Sequence, residues 1–440
     1  MPIDNSGLRN RDLYLNRLIA FQDTEPVKII TGIRRCGKSS LMKLMARHLR
    51  QNNISDKQII EINAESMAFR GMNAETLYQY VKNQLPANDR AYLFLDEIQR
   101  IDQWQDAVNS FRVDLNCDIY VTGSNAYLLS SEYATYLAGR SVEIKMLPLS
   151  FREFLDFHGY SVSEAQSPSG KIRWQVVNAE NESYELSALL DAYMIYGGMP
   201  GIADVGLDMD KALTLLDGVY STVVVRDILE RERRRGRRQI TDADLLRKII
   251  MFLADNIGNN TSITSIANTL MNERLLGSDS RRGKPAVQTI QAYVSALLES
   301  FVFYEIKRFD VKGKAYLRTL GKYYIVDVGL RNYLLGYRDI DIGHIIENIV
   351  YFELLRRGYD VAIGKVGDME VDFIATNARD KWYIQVTESM NEPSTREREF
   401  APHRKIRDNY RKTVIANHCD NPVTMDGIEV MLLTDFLLGD

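Results

Sequence analysis

Between Val27 and Pro148 short apolar, β-branched runs alternate with amphipathic stretches: VKIITG, IIEINAE, AYLFLDE, DIYVTGS and SVEIKML. Such alternation predicts a parallel sheet in an α/β fold. From Ser161 to Ser183 the pattern gives way to SEAQSPSGK and NAENES, polar and turn-rich, as expected of an exposed insertion. Helical periodicity then dominates from Tyr184 to about Arg238, ending in RDILERERRRGRR. Three more helical segments, Asp244 to Asn256, Ser262 to Leu270 and Ala286 to Ser300, precede the β-rich runs VFYEIKRFDV and KAYLRTLGKYYIVD, parted by Lys312 and Gly313. Three helices followed by a hairpin is the order of a winged helix. The last unit opens with the apolar helix IGHIIENIVYFELLRRG and continues through the strands DVAIG, EVDFIA and WYIQVT.

A chain of 440 residues exceeds one ordinary core, and usual domain sizes suggest roughly two to four domains. Hydrophobic residues at 45% beside 26% charged ones describe a soluble globular protein. There is no run of about 18 uncharged apolar residues, and MPIDNSGLRNRDLYLNRL is polar, so a cytoplasmic protein without a membrane partner is expected. Cys36, Cys117 and Cys419 lie too far apart for a disulfide framework or zinc spacing. A net charge of −4 gives no global attraction for nucleic acid, so any such binding must come from local basic clusters.

GIRRCGKS, Gly32 to Ser39, follows an apolar strand and opens the helix KSSLMKLMARHLR, which is the setting of a phosphate-binding loop. Its glycines let backbone N–H groups turn towards phosphate oxygens, and the helix amino terminus adds positive potential. The expected ATP-binding set is Gly32, Ile33, Arg34, Arg35, Cys36, Gly37, Lys38, Ser39 and Ser40. Lys38 should reach the β and γ phosphates and Ser39 should ligate Mg²⁺. In YLFLDEIQR a buried strand ends in Asp96 and Glu97, a metal-orienting acid followed by a water-activating base. Two adjacent carboxylates there repel and lose hydration unless an ion and a water occupy them. DIYVTGSN ends in Thr122, Ser124 and Asn125, of which Ser124 or Asn125 would position the attacking water if this strand neighbours the other two.

TGIRRCGKSSLM, YLFLDEIQRI, VTGSN, LAGRSVEIKMLPLSFREF, YGGMPG, YYIVDVGLRNYLLG and GHIIENIVYFELLRRGYDVAIG, in that order, resemble AAA+ ATPases of bacteria and archaea that join a P-loop core to a winged helix and a restriction-endonuclease-like domain. The resemblance covers nearly the whole chain. It implies an α/β P-loop AAA+ core at residues 1–160, an insertion and helical lid at 161–240, a winged helix at 241–338 and an α/β restriction-endonuclease-like domain at 339–440. Ser124 and Asn125 then resemble sensor 1. Arg140 in LAGR resembles the arginine that such proteins insert into a neighbour's site, which implies a homo-oligomer, a hexameric ring. GGMP, Gly197 to Pro200, is similar to an element that packs near adenine, with Tyr14 and Leu15 as the opposite wall.

In the third helix of the winged unit Val287, Ile290, Val294, Leu297 and Leu298 define an inward stripe, which leaves Gln288, Thr289, Gln291 and Ser295 outside. Gln288 and Gln291, with Arg281, Arg282 and Lys284 upstream, suit DNA contact; protein docking is the alternative use of such a face. The cluster containing Arg234, Arg235 and Arg237 is either a second DNA contact or a solvated helix face. In the last domain the resemblance places Glu347, Asp372 and Gln385 at metal-site positions, but Thr387 stands where a lysine is expected. A domain retained for DNA binding or assembly, without nuclease activity, is the expectation. The whole reads as a Mg²⁺-dependent ATPase acting on DNA, branched or recombining DNA included. Its alternatives are a nucleotide-gated switch that recruits proteins and an ATPase-regulated nuclease.

Overall fold

The computed structural model describes residues 7–86, 89–124, 139–166, 172–222, 228–229, 240, 242–272, 287–311, 315–420, 422 and 424–439. The chain forms two compact units, residues 1–148 with 299–301, and residues 149–298 with 302–440.

The first unit is a five-stranded parallel sheet of β1 (Val27–Thr31), β2 (Ile59–Asn63), β3 (Ala91–Asp96), β4 (Cys117–Gly123) and β5 (Ser141–Lys145), in the order β2-β3-β4-β1-β5. Every residue of β1 and β3 is buried. Covered on both faces, these strands read as unbroken apolar runs rather than alternating ones. On one side Ile60, Leu93, Leu95 and Val121 pack with Leu77 and Val81 of the helix Ala74–Lys82 and with Val108 and Phe111 of the helix Trp104–Asp114. One charged pair interrupts the apolar centre: the Lys28 ammonium donates to Asp118, whose Oδ2 also accepts from the Tyr120 hydroxyl at 2.9 Å and the Asp23 N–H at 2.8 Å. Burial lowers the Lys28 pKa while Asp118 opposes that shift. For function the strand order matters most, because β4 separates β1 from β3 and all three end on the same edge.

In the second unit the stretch expected as an exposed insertion contains β6 (Ser161–Gln166), β7 (Ile172–Val177) and β8 (Ser183–Tyr184), an antiparallel three-stranded sheet. Its strands are short and largely polar, so turn signals hid the pairing. The three helices Ala243–Asp255, Ile263–Asn272 and Val287–Glu299 follow, then β9 (Phe303–Asp310) and β10 (Ala315–Ile325). This hairpin continues into the last α/β unit: β9 pairs in parallel with β11 (Asp360–Val366), giving a seven-stranded sheet. Its remaining strands are β12 (Met369–Thr376), β13 (Lys381–Ser389), β14 (Arg411–His418) and β15 (Glu429–Leu432), in the order β10-β9-β11-β12-β13-β14-β15. The helix Ile342–Arg356, buried on most sides, packs on this sheet.

Two motifs far apart in sequence lock together in this unit. Asp327 caps the helix Val328–Leu335 through the Leu330 N–H at 3.1 Å, and its other oxygen accepts from the Gly198 N–H at 2.7 Å. A Cβ at Gly197 would lie 2.4 Å from Asp327 Oδ1, and one at Gly329 would lie 2.1 Å from the Tyr196 carbonyl oxygen. YGGMPG and VDVGL therefore need their glycines for backbone contact. Burial pushes the Asp327 carboxyl up to about 6, against the pull of its N–H donors. Among the described residues no helix is long and apolar enough to cross a membrane.

Candidate active site

β1 runs directly into the loop. Gly32 has φ +144°, and a Cβ there would sit 2.1 Å from the Met146 carbonyl oxygen, so no other residue fits. Arg35 at φ 64° and Gly37 at φ 104° complete the reversal. The helix Lys38–Gln51 then begins with no side-chain cap, which leaves its first-turn N–H groups for a ligand. Lys38 is buried, and its Nζ donates to the carbonyl oxygens of Gly32 at 3.0 Å and Ile33 at 3.1 Å. Ile33 and Cys36 are buried beneath the loop, while Arg35, Ser39 and Ser40 are exposed. Burial raises the Cys36 thiol pKa, so it is a packing group and not a nucleophile. Arg34 pairs with Glu65 at 2.7 Å, and Glu65 also takes Arg100 at 2.6 Å.

Sequence reading missed the support under this loop. Arg11, 3% exposed, donates from NH1 to the Cys36 carbonyl at 3.1 Å and from NH2 to the Leu147 carbonyl at 3.0 Å, with its guanidinium 4.8 Å from the Tyr14 ring centre. The Tyr14 hydroxyl accepts from the Leu147 N–H at 3.1 Å. Tyr14, expected as a wall for adenine, is fully buried and instead braces the loop; Leu15 is half-buried. A lone Arg in a polar leader carries no sequence signal for that role.

The acids stand at the end of β3. Asp96 Oδ1 accepts from the Thr122 hydroxyl, and Oδ2 from Asn63 Nδ2 at 3.3 Å. Glu97 departs from the strand with φ 50°, and its N–H donates to Thr122 Oγ1 at 2.9 Å. Glu97 Oε2 accepts from Gln99 Nε2 and from the Ser124 hydroxyl at 3.2 Å. Gln99 Oε1 is buried with no hydrogen-bond partner among the described residues. β4 pairs with both β1 (Ile30 with Thr122) and β3 (Leu95 with Val121), which sets Ser124 between the loop and the acids. Asn125 lies outside the described residues. Thr122, Asn63 and Gln99 thus hold the two acids, each identifiable afterwards by its place just at or beyond a strand's carboxyl end.

Arg140 is exposed and immediately precedes β5; its carbonyl accepts from the Val27 N–H at 2.9 Å. Because β5 runs parallel to β1, Arg140 sits at the end of the sheet away from its own phosphate loop, a five-residue strand of roughly 16 Å distant. Pro200 is half-buried in the second unit and accepts from the Ala203 N–H at 3.2 Å to begin the short helix Ile202–Val205. On the helix Val287–Glu299 Gln288 and Gln291 are exposed as expected, but Val287, expected inward, is 47% exposed. Tyr293 is inside instead, its hydroxyl accepting from the Asp242 N–H at 3.0 Å. Arg234, Arg235, Arg237, Arg281, Arg282 and Lys284 lie outside the described residues.

The donors suit a nucleotide-borne Mg²⁺. Among the described residues no group of three or more His, Cys, Asp or Glu side chains is arranged to hold a metal. A hydroxyl on Ser39 and a carboxylate on Asp96 are what a cation needs that keeps water and is completed by phosphate oxygens.

A parallel sheet with a lysine-bearing phosphate loop after β1 and an acid pair after β3 defines an AAA-type P-loop ATPase. Residues 24–155 match the family described as AAA domain, and the chain is an ATP hydrolase. Residues 187–341 match a domain of unknown function, DUF8612. The chain belongs to one family with an uncharacterized protein of Haemophilus influenzae, 38% identical over 436 residues that cover 99% of this chain and 100% of that one. An uncharacterized protein of Methanocaldococcus jannaschii is 29% identical over 412 residues, 92% of this chain and 84% of its own. A Walker-type ATPase of Pyrococcus abyssi with a solved structure has a TM-score of 0.46 at 17% identity, over 76% of this chain and 97% of that one.

Proposed function

We propose that this ATPase works on DNA as a Mg²⁺-dependent homo-oligomer, a hexameric ring in which each site is completed by the next subunit. The position of β4 carries the reading, because it brings Lys38, Asp96, Glu97 and Ser124 to one edge of one sheet. Glu97 takes a proton from water, the water oxygen bonds to the γ phosphorus, and the bond to the bridging oxygen breaks to release ADP. Lys38 and the loop N–H groups meet the charge that develops on the phosphoryl oxygens. Mg²⁺ held near Ser39 and Asp96 supplies further charge neutralisation when bound. Arg140 precedes β5 at the end of the sheet opposite its own loop, a position that suits a finger offered to a neighbour.

DNA as the partner is supported by the exposed Gln288 and Gln291 on one helix face, side chains that hydrogen-bond base edges or phosphates. ATP turnover is to be measured with single-stranded, duplex and four-way junction DNA, beside sizing with and without ATP. DNA-stimulated turnover in an ATP-dependent ring supports the reading. Turnover indifferent to every DNA, with no binding at low salt, overturns its DNA part.

A further inference from the structure

We propose that the second unit carries a nucleotide-binding site of its own, apart from the phosphate loop: a cavity that stacks a base between an indole and a guanidinium and holds its phosphate with arginines. Such a site stands whether or not DNA is the partner of the ATPase.

The polar insertion helps to build it. Side chains of β6 and β7 line a cavity of about 570 Å³, and the rest of the lining comes from β13, β14, β15, the helix Leu433–Leu438 and two arginines that precede or follow longer elements. That volume falls within the range of about 300–1,000 Å³ usual for small-molecule sites. Two of the chain's three tryptophans, Trp174 and Trp382, line it together with Arg152, Arg357 and Arg411. Rings and guanidiniums in one cavity are the side chains that stack bases and grip phosphates.

Each arginine lies over a ring. Arg411 is 4.1 Å from the Trp382 ring centre, Arg357 is 4.7 Å from that of Phe436, and Arg152 is 5.8 Å from that of Trp174. Trp382 is buried, with its Nε1 donating to Thr413 Oγ1 at 2.8 Å, while Glu429 Oε2 accepts from Arg411 NH2 at 2.9 Å. The exposed Arg411 guanidinium is thus held over a fixed indole, and its outer face is a plane on which a base stacks. Trp174 is half-buried, and its indole N–H donates to Asp435 Oδ1 at 2.9 Å, which fixes the second platform.

The arginines also retain donors. Arg357 pairs with Glu353 at 3.0 Å and Arg411 with Glu429 at 2.9 Å, whereas Arg152 pairs with no carboxylate among the described residues. Arg152 NH2 donates to the Leu438 carbonyl, and Arg357 NH2 to the carbonyls of Phe436 and of Gly439, the latter at 2.8 Å. These bonds bring two guanidiniums to adjacent carbonyls at the end of one helix. Anchoring that helix uses NH2 of each and leaves NH1 of Arg152, Arg357 and Arg411 without an acceptor among the described residues. A planar fork with open N–H groups matches phosphate oxygens. Of the lining carboxylates, Glu164 is exposed and screened by water, and burial raises the Asp435 pKa while Trp174 opposes that shift, both of which weaken their repulsion of an anion. Asp435 Oδ2 accepts no hydrogen bond among the described residues and is open to a sugar hydroxyl or a base N–H.

The full-length protein should be saturated with Mg·ADP, so that the phosphate loop is filled. It is then titrated with AMP, with adenosine and with a short 5′-phosphorylated oligothymidylate. Tryptophan fluorescence reports stacking in the wild type, and calorimetry reports binding by the variants. Expected are saturable quenching by AMP or the oligonucleotide and binding of adenosine weaker than AMP by roughly tenfold or more. Trp174→Ala and Arg152→Gln should each weaken binding by roughly tenfold or more while retaining ATP turnover. Trp174→Phe, which keeps a ring, should bind within about threefold of the wild type and keeps the test decisive if Trp174→Ala does not fold. Tighter binding of the oligonucleotide than of AMP assigns the site to a strand end, and the reverse assigns it to a free nucleotide. No saturable binding of either ligand, adenosine binding as tightly as AMP, or affinity undiminished in Arg152→Gln overturns the proposal.

Discussion

Replacing Thr122 by Val tests whether one hydroxyl organises both acids. Thr122 is fully buried, and its hydroxyl donates to Asp96 and accepts from the Glu97 N–H. Val keeps the shape but ends both bonds, and no water can substitute at a side chain without exposure. A lost bond to a charged group costs about 1.5–3 kcal/mol, and a buried N–H left unpaired about 1–3 kcal/mol. The added buried methyl returns about 1 kcal/mol, so a net loss of about 2–4 kcal/mol is expected. With about 2–4 °C per kcal/mol for a unit of this size, the melting temperature should fall by roughly 5–15 °C. Turnover should fall further than stability explains. The bond from its N–H to Thr122 holds the Glu97 backbone at φ 50°, and a displacement of about 1 Å costs on the order of 100-fold in rate. The phosphate loop is untouched, so affinity for a fluorescent ATP analogue should stay within about threefold. Steady-state ATPase, nucleotide titration and thermal melts on one preparation separate these effects. A variant that melts early yet turns over at the wild-type rate would sink the reasoning, since the hydroxyl would then be only structural.

Lys38→Ala should abolish measurable ATP turnover, on the order of 1,000-fold by single-turnover assay, through loss of the charge that meets the γ phosphate. Gln99→Ala should lower kcat about tenfold with little change in nucleotide affinity. Arg140→Ala should lower kcat on the order of 1,000-fold, and mixing with Lys38→Ala subunits should restore part of it if the finger acts in trans. For Asp327, whose carboxyl rises from 3.8 to about 6 in the folded state, the native form holds the proton more tightly than the unfolded chain. Its contribution is thus fully favourable below about pH 4 and is lost as pH rises to about 6, by roughly 3 kcal/mol. Asp327→Asn should erase that slope in urea melts at pH 4.5 and 7, while costing about 1–3 kcal/mol at both because its amide can accept only one of the two N–H bonds.

What was legible in the sequence follows from how locally each feature is encoded. The phosphate loop is contiguous and flanked by its own strand and helix, so GIRRCGKS could be read directly, and the unbroken apolar runs gave the parallel strands of the first unit. The environment of Asp96 and Glu97 was only partly legible, because Thr122 and Asn63 reach Asp96 from two other strands through strand order alone, while Gln99 is local to Glu97. Arg11 and Tyr14 brace the loop from a helix that has no local mark of that role. In the second unit the hairpin β9–β10 has the local pattern of a wing, but its edge pairs with β11, a long-range choice that periodicity does not specify.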